Sequence, residues 1–272
     1  MTEQNQTDAG EEPRRVLCAT DGPVATITLN RPDQLNPLDR YTVGELLETV
    51  EQLDADETVS TVIVRGAGRA FSAGGDLEGY LELYKDRPKF MRFLRDFNTL
   101  LETIERSSKI YVAVVHGHCV AGGLELMLAC DIVLAAHEAK IADGHLNFAQ
   151  LPGAGGSQRL PRAIGVLRAK MLVLTGRTLN GQDAERIGLA SLSVPLAEIE
   201  PALDALIGDL SRKSPLGLKG AKYLINTGGL NVRDAGLELE LTYVHHYATT
   251  SHDAYEGLAA FKEKRDPQLT GR

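Results

Sequence analysis

The residues with the clearest capacity for chemistry stand in and after two glycine pairs. Gly74-Gly75 lies in the stretch Phe71-Ser72-Ala73-Gly74-Gly75-Asp76, and the second pair is Gly122-Gly123. Each pair follows an apolar run typical of a strand and leads into a segment that can be helical. Glycine lets backbone N–H groups approach a ligand atom closely, and a helix start leaves N–H groups unpaired beside a partial positive charge. Together the pairs can supply two donors to one oxyanion, or each can be an ordinary strand-to-helix turn.

Glu125 is the candidate acid or base. It comes three residues after Gly122, in the first turn of the predicted helix, with the apolar neighbours Leu124 and Leu126. These neighbours predict burial, and burial raises the pKa of a carboxyl group towards the range useful for proton transfer. The alternative is a carboxylate that only stabilises the helix N-terminus.

Three other motifs carry weaker predictions. His116 and His118 flank Gly117, but no third ligand stands nearby at a metal-binding spacing, so structural roles are favoured. A stretch beginning at Gly66 starts like a dinucleotide-binding fingerprint, although a phenylalanine occupies the place of its third glycine. Residues 153–157 form a glycine-rich loop without the lysine of a Walker motif, which indicates a turn or a loop on the substrate side.

The elements that must position these residues alternate between strands and helices. Asp21-Gly22 between two strand-like runs predicts a hairpin. The runs Thr61–Val64 and Ile110–Val115 predict strands before the glycine pairs, and an amphipathic helix is predicted over Phe90–Ile104. Asp39 is a plausible N-cap for an earlier helix, and the C-terminal part is mostly helical. The alternation is typical of an α/β protein.

Composition narrows the class of protein. The chain has 272 residues, a formal net charge of −8 and only three cysteines, which argues against nucleic acid as a main partner and against a disulfide framework or a zinc site. No apolar run has the ~20 residues of a membrane span. The polar, acidic start lacks a secretory signal, so residues 1–13 are predicted to be a disordered tail and the protein to be cytoplasmic.

From about Val16 to the C-terminus, the sequence resembles the crotonase superfamily of enoyl-CoA hydratases and isomerases. The resemblance rests on four stretches in the family's order and spacing: Asn30-Arg31-Pro32, Phe71–Asp76, Gly122–Glu125 with Ala129-Cys130-Asp131 behind it, and Leu151–Leu160. It implies a spiral of ββα units over residues 14–200 and a C-terminal helical region over residues 201–272 that assembles homotrimers or homohexamers.

The resemblance also implies an acyl-CoA substrate, with coenzyme A carried as part of that substrate and no further cofactor or metal. By motif position, the N–H groups of Gly75 and Gly122 hold the thioester oxygen as it becomes an enolate. The coenzyme A portion is expected against a set of residues from three stretches: Arg31, Ala73, Gly74, Asp76 and Lys264. For Lys264, a plain solvated helix end is the alternative.

The sequence departs from the family at one catalytic position. In the hydratases two glutamates act on one water molecule, and the first matches Glu125. The position of the second is occupied here by His145, with Asp143 as a neighbouring acidic candidate. A histidine titrates near neutral pH and can replace a carboxyl group as acid or base, or it can simply line the acyl pocket.

Three functions follow as hypotheses. The first is hydratase- or isomerase-type chemistry on a 2-enoyl-CoA in acyl-CoA degradation, with Glu125 and His145 as acid and base. The second keeps the fold but cleaves a C–C bond in a β-oxo or cyclic acyl-CoA, since His145 replaces the glutamate. The third is a non-catalytic CoA-binding subunit, against which the retained Glu125 argues. The acyl pocket walls are predicted to come from residues 77–84, 90–97 and 147–151.

Overall fold

A computed structural model describes residues 14–228 and 233–272. The predicted disordered tail lies outside the described residues. The chain begins with the predicted hairpin, in which β1 (Val16–Asp21) pairs antiparallel with β2 (Val24–Leu29). Gly22 in the connecting turn has φ +53°, a left-handed conformation that glycine adopts without strain.

The main sheet has six strands, in the order β1-β2-β3-β5-β7-β9. After the hairpin, each added strand runs parallel to its neighbour: β3 (Thr61–Gly66), β5 (Ile110–Val115), β7 (Ile132–Ala136) and β9 (Leu192–Val194). Every residue of β5 is buried. A parallel strand covered on both faces has to be apolar throughout, which is why the runs read as continuous valine and isoleucine.

A second, three-stranded parallel sheet stands beside the first. Its strands are β4 (Ala70–Ser72), β6 (His118–Val120) and β8 (Lys140–Ala142), and β6 lies in the middle. Each follows a main-sheet strand after a few residues and is followed in turn by a helix. The chain therefore repeats a strand–strand–helix unit, which confirms the predicted spiral of ββα units.

The helices of the spiral pack their apolar faces on the sheets. Asp39 caps the first, α1, through hydrogen bonds from Tyr41 N and Thr42 N. The predicted apolar face of residues 90–104 lies on α3, where Phe93, Phe97 and Leu100 are buried. The bounds are α1 (Arg40–Ala55), α2 (Leu77–Leu83), α3 (Arg87–Arg106), α4 (Gly122–Ala129), α5 (Gly156–Ile164), α6 (Val166–Thr175) and α7 (Gly181–Arg186).

The last part of the described chain is helical. It comprises α8 (Ile199–Ser211), α9 (Pro215–Gly228), α10 (Arg233–Thr250) and α11 (His252–Glu263). Buried Lys222 of α9 ties this part to the spiral, because its ammonium lies 2.8 Å from Asp131 Oδ2 and donates to two backbone carbonyl groups. No helix among the described residues is long and apolar enough to cross a bilayer. The division of the chain at residue 200 stays a prediction.

Candidate active site

The two glycine pairs meet at one edge of the small sheet. Strands β4 and β6 are parallel neighbours, with Ser72 beside Cys119, so the loops that follow them leave at the same edge. Gly74 has φ +93°, and a Cβ there would lie 2.6 Å from the carbonyl oxygen of Val120 and 3.2 Å from the nitrogen of Gly122. Only glycine permits this approach, and the contact brings the two loops together.

Two N–H groups at this junction, those of Gly75 and Gly122, donate no backbone hydrogen bond among the described residues. Gly122 is the first residue of α4, whose N-cap Ala121 offers no side-chain acceptor and is held at φ +51°, where alanine is strained. Since both glycines line the same cavity, two donors are available there for a ligand oxygen.

Glu125 lies one turn into α4, with 2% of its surface exposed. Its Oε1 accepts hydrogen bonds from Ala154 N at 2.9 Å and Gly156 N at 2.8 Å. Burial raises the pKa of the Glu125 carboxyl group, and the two N–H donors and the neighbouring His145 only partly oppose the rise. The glycine-rich loop therefore holds the carboxyl group, with one oxygen fixed and the other turned to the cavity side.

His145 stands opposite Glu125, at the start of a short 3-10 helix (His145–Phe148). Its Nε2 lies 3.8 Å from Glu125 Oε2, and its Nδ1 lies 3.2 Å from Asp143 Oδ1. Burial opposes protonation of the ring, but the hydrogen bond to Asp143 and the charge of Glu125 outweigh it and raise the pKa of His145. Asp143 is fully buried, and its Oδ2 has no partner among the described residues.

Glu125, His145 and Asp143 lie in a row, and the sequence predicted only the first two as an acid–base pair. Glu125 and His145 were predicted to face one another, and the structure places both on the cavity wall. The support of His145 by Asp143 was missed. The Asp-x-His spacing at the end of β8 is the signal that could have revealed it, because a carboxylate two residues before a histidine can reach the imidazole. The hydrogen bond to Asp143 orients the ring so that Nε2 points at Glu125. In the neutral ring it favours the tautomer with the proton on Nδ1.

The cavity measures about 610 Å³, and its lining has a polar part and an apolar part. Gly75, Gly122, Glu125 and His145 form the polar part. The apolar part is built mainly from α2, α3 and residues 148–154, which matches the predicted pocket walls. The two parts are adjacent, since a Cβ on Gly75 would be only 2.2 Å from the hydroxyl oxygen of Tyr80 and a Cβ on Gly122 only 3.2 Å from Phe97. The volume is typical of a small-molecule site.

The five residues predicted to contact coenzyme A do not all line the cavity. Ala73 lines the cavity, and Gly74 contacts the residues just before Gly122. Arg31 is half-buried and paired with Asp39 at 2.6 Å, outside the cavity lining. Asp76 caps α2 through Gly79 N, and Lys264 is exposed just after α11. Contact of these five residues with coenzyme A stays a prediction.

The two early histidines do not join the site. His116 Nε2 lies 2.9 Å from the carbonyl oxygen of Gly68, as the predicted structural role requires. Within residues 14–228 and 233–272, no group of three or more histidine, cysteine or acidic residues is arranged to hold a metal ion.

Comparison with known proteins identifies the family. The family model for enoyl-CoA hydratase/isomerase matches residues 19–272. The "Probable enoyl-CoA hydratase echA8" of Mycobacterium tuberculosis is 36% identical over 258 residues, covering 94% of this chain and 98% of that protein. A "Probable enoyl-CoA hydratase" of Bacillus subtilis is 35% identical, with 94% and 98% coverage.

Comparison with solved structures leads to the same family. The enoyl-CoA hydratase of Bacillus anthracis superposes with a TM-score of 0.90 at 33% identity, covering 95% of this chain and 100% of that one. The enoyl-CoA hydratase of Mycobacterium smegmatis also gives a TM-score of 0.90, at 27% identity with 95% and 99% coverage. The chain belongs to the enoyl-CoA hydratase/isomerase family and has the crotonase fold. It is an enzyme of that lyase-type family.

Proposed function

We propose that the protein adds water to the α,β double bond of a 2-enoyl-CoA, with a thioester enolate as intermediate. One observation carries the proposal: the N–H groups of Gly75 and Gly122, which donate to no backbone acceptor in the part of the chain that the structure describes, line the same cavity as the facing pair Glu125 and His145. Oxyanion donors and an acid–base pair are the two devices that addition to a conjugated thioester requires. The relatives named enoyl-CoA hydratase support the assignment.

In the first step Glu125 acts as the base. Its free oxygen takes a proton from water while the water oxygen bonds to the β-carbon. The π electrons move to the thioester oxygen, and the negative charge that develops there is held by the N–H groups of Gly75 and Gly122. One such donor is typically worth about 3–4 kcal/mol in the transition state.

In the second step His145 acts as the acid. Its raised pKa increases the protonated share of the ring, and Nε2–H of the imidazolium form delivers a proton to the α-carbon as the enolate returns to a thioester. The proton taken up by Glu125 then passes to Nε2, 3.8 Å away, and restores both groups. The net change is one water added. Asp143 positions the ring through Nδ1 and does not contact the substrate.

The assay is direct. Purified protein is offered 2-enoyl-CoA thioesters of several acyl types, and loss of the conjugated absorbance is followed with mass spectrometry of the product. The proposal expects a product heavier by one water and expects the Glu125→Gln variant to lose turnover. Tight binding of acyl-CoA without turnover across the panel would contradict it and favour a non-catalytic CoA-binding subunit.

A second candidate is hydrolytic cleavage of a C–C bond in a β-oxo acyl-CoA. The histidine paired with Asp143, in place of a second glutamate, favours it, because a supported imidazole can activate water for attack on a ketone. Breaking the bond between the α- and β-carbons would again leave an enolate at Gly75 and Gly122. A product that retains the added water but carries a new carboxyl group on a cleaved or opened chain identifies this reaction.

We further propose that the protein forms a homotrimer or a homohexamer through its C-terminal helices. Helices α9 to α11 expose several large apolar side chains, and contiguous exposed apolar surface is typical of an interface. These side chains are Tyr223, Ile225, Leu237, Leu241, Val244, Tyr255 and Leu258. Light scattering during size-exclusion chromatography measures the mass directly, and a monomer at micromolar concentration would contradict the proposal. A cytoplasmic location stays a prediction.

A further inference from the structure

The apolar part of the cavity lining holds an unusual share of the aromatic residues. The sequence contains eight tyrosines and six phenylalanines, and six of these fourteen side chains line this one cavity. An acyl site built only to hold an alkyl chain needs apolar volume, which leucine and valine supply equally well. The concentration of rings therefore calls for a separate explanation. The six are Tyr80, Tyr84, Phe90, Phe93, Phe97 and Phe148.

Five of these rings form one connected wall on α2 and α3. Tyr80 is its centre, with ring centroids 5.7 Å from Phe93, 6.4 Å from Phe90 and 6.0 Å from Tyr84. Tyr84 and Phe90 meet edge to face at 4.8 Å, with 74° between their planes. Tyr80 and Tyr84 are stacked, with 21° between their planes, while the other neighbouring pairs are tilted, so the wall presents both faces and edges, which are the surfaces that complement another ring.

The wall begins directly beside the reacting atoms. The hydroxyl group of Tyr80 packs against Gly75, one of the two proposed oxyanion donors. An acyl group whose thioester oxygen is held by Gly75 therefore meets the Tyr80 ring within a few atoms of its carbonyl carbon. A ring attached at the β-carbon, or a ring that contains the α- and β-carbons, would lie against the wall. A short straight chain would leave most of it uncovered.

The wall is also supported as a fixed surface. Phe93 and Phe97 each have 3% of their surface exposed and belong to the core, so the back of the wall does not depend on a ligand. Tyr84 and Phe148 are exposed at the open side, where Tyr84 donates a hydrogen bond to Gln150. The aromatic surface, with buried rings on its core side and exposed rings on its solvent side, is therefore present before a ligand binds.

We propose that the acyl group of the substrate bears an unsaturated ring, either an aryl group on the β-carbon or a cycloalkene that includes the reacting double bond. The inference rests on the proposed function and adds the class of substrate to it. Aromatic contacts with the correct tilt add to area burial, so two of them change kcat/KM by roughly 5- to 100-fold relative to an alkyl chain of equal size.

The experiment compares 3-phenylpropenoyl-CoA and cyclohex-1-ene-1-carbonyl-CoA with but-2-enoyl-CoA and oct-2-enoyl-CoA. We expect kcat/KM at least about fivefold higher for a ring substrate, and the two ring arms separate aryl from alicyclic recognition. Tyr80→Leu and Phe90→Leu should each lower kcat/KM for the preferred ring substrate by roughly 2- to 12-fold and together by roughly 5- to 100-fold, while the double variant lowers it for the straight chains by less than about threefold.

Two controls keep failure of this inference separate from failure of the proposed function. Tyr80→Phe preserves the ring and should keep the preference for ring substrates. Binding of the saturated 3-phenylpropanoyl-CoA and octanoyl-CoA to the Glu125→Gln variant, measured by calorimetry, reports recognition without turnover. Equal affinities, or equal losses for both classes in Tyr80→Leu and Phe90→Leu, would overturn the ring proposal even if hydration is confirmed.

Discussion

Two substitutions at Glu125 separate its chemical role from its structural role. In the structure Oε1 accepts from Ala154 N and Gly156 N, while Oε2 faces His145 at 3.8 Å. Glutamine has the same shape and can keep its carbonyl oxygen on the two N–H groups. Alanine removes the acceptor and leaves two buried donors unsatisfied.

The expected magnitudes differ sharply between the two variants. Glu125→Gln should lower kcat by about 10²- to 10⁴-fold, the usual contribution of a positioned acid or base. Its stability should change little, because a neutral amide accepts weaker hydrogen bonds but also avoids burying a charge. Glu125→Ala should destabilise the fold by about 2–6 kcal/mol, since each unsatisfied buried donor costs about 1–3 kcal/mol.

Kinetics and urea unfolding of the two variants test the reasoning together. Steady-state turnover of the best enoyl-CoA gives kcat, and the unfolding curves give the free energy of unfolding. If Glu125→Gln keeps more than about a tenth of the wild-type kcat, Glu125 is not the base. If the glutamine variant is as unstable as the alanine variant, the hydrogen bonds from residues 154 and 156 do not have the structural role assigned to them.

Three further predictions concern single groups. Asp143→Asn should lower the pKa of His145, so the alkaline limb of the pH profile of kcat should move to lower pH; an unmoved alkaline limb would refute the positioning role. Gly122→Ala places a methyl group 3.2 Å from Phe97 beside the proposed oxyanion donor and should lower kcat/KM by about 10²- to 10³-fold, whereas Gly257→Ala, whose Cβ would meet nothing within 4 Å, should leave it unchanged. Asp253 accepts hydrogen bonds from Ser214, Thr270 and Gly271, and its pKa is lowered to about 2. Its contribution to stability should therefore be complete above about pH 4 and lost as the pH falls towards 2. Denaturant titrations of wild type and Asp253→Asn measure this contribution, and a difference in the free energy of unfolding that does not shrink over this range would contradict the assignment.

Much of the fold followed from local patterns. Continuous apolar runs predicted β3 and β5, and the helical spacing of phenylalanine and leucine predicted the buried face of α3. These elements carry enough residues to show their period. The strands β4, β6 and β8 have three residues each, and a run such as His118-Cys119-Val120 has no period to detect. The small sheet that joins the two glycine loops was therefore not predicted.

The sequence predicted which residues form the candidate site, but it predicted only some of the contacts between them. Glu125 and His145 came from motif position, but the hydrogen bonds to Glu125 cross about thirty residues of sequence, which no local pattern reports. The glycine-rich loop was predicted as a turn or a substrate-side loop, and residues 153 and 154 do line the cavity; what was missed is that its N–H groups hold Glu125. Phe93 and Phe97 line the cavity as well, as the prediction of a pocket wall over residues 90–97 requires.

The central claim is that one cavity holds a thioester oxygen between two glycine N–H groups, with the reacting carbons between Glu125 and His145. A crystal structure of the Glu125→Gln variant with a bound enoyl-CoA tests it most directly. In that structure we expect the thioester oxygen to lie about 2.7–3.1 Å from both Gly75 N and Gly122 N, with the α- and β-carbons facing residues 125 and 145. A thioester oxygen outside hydrogen-bond distance of both nitrogens, or an acyl group bound elsewhere, would contradict it.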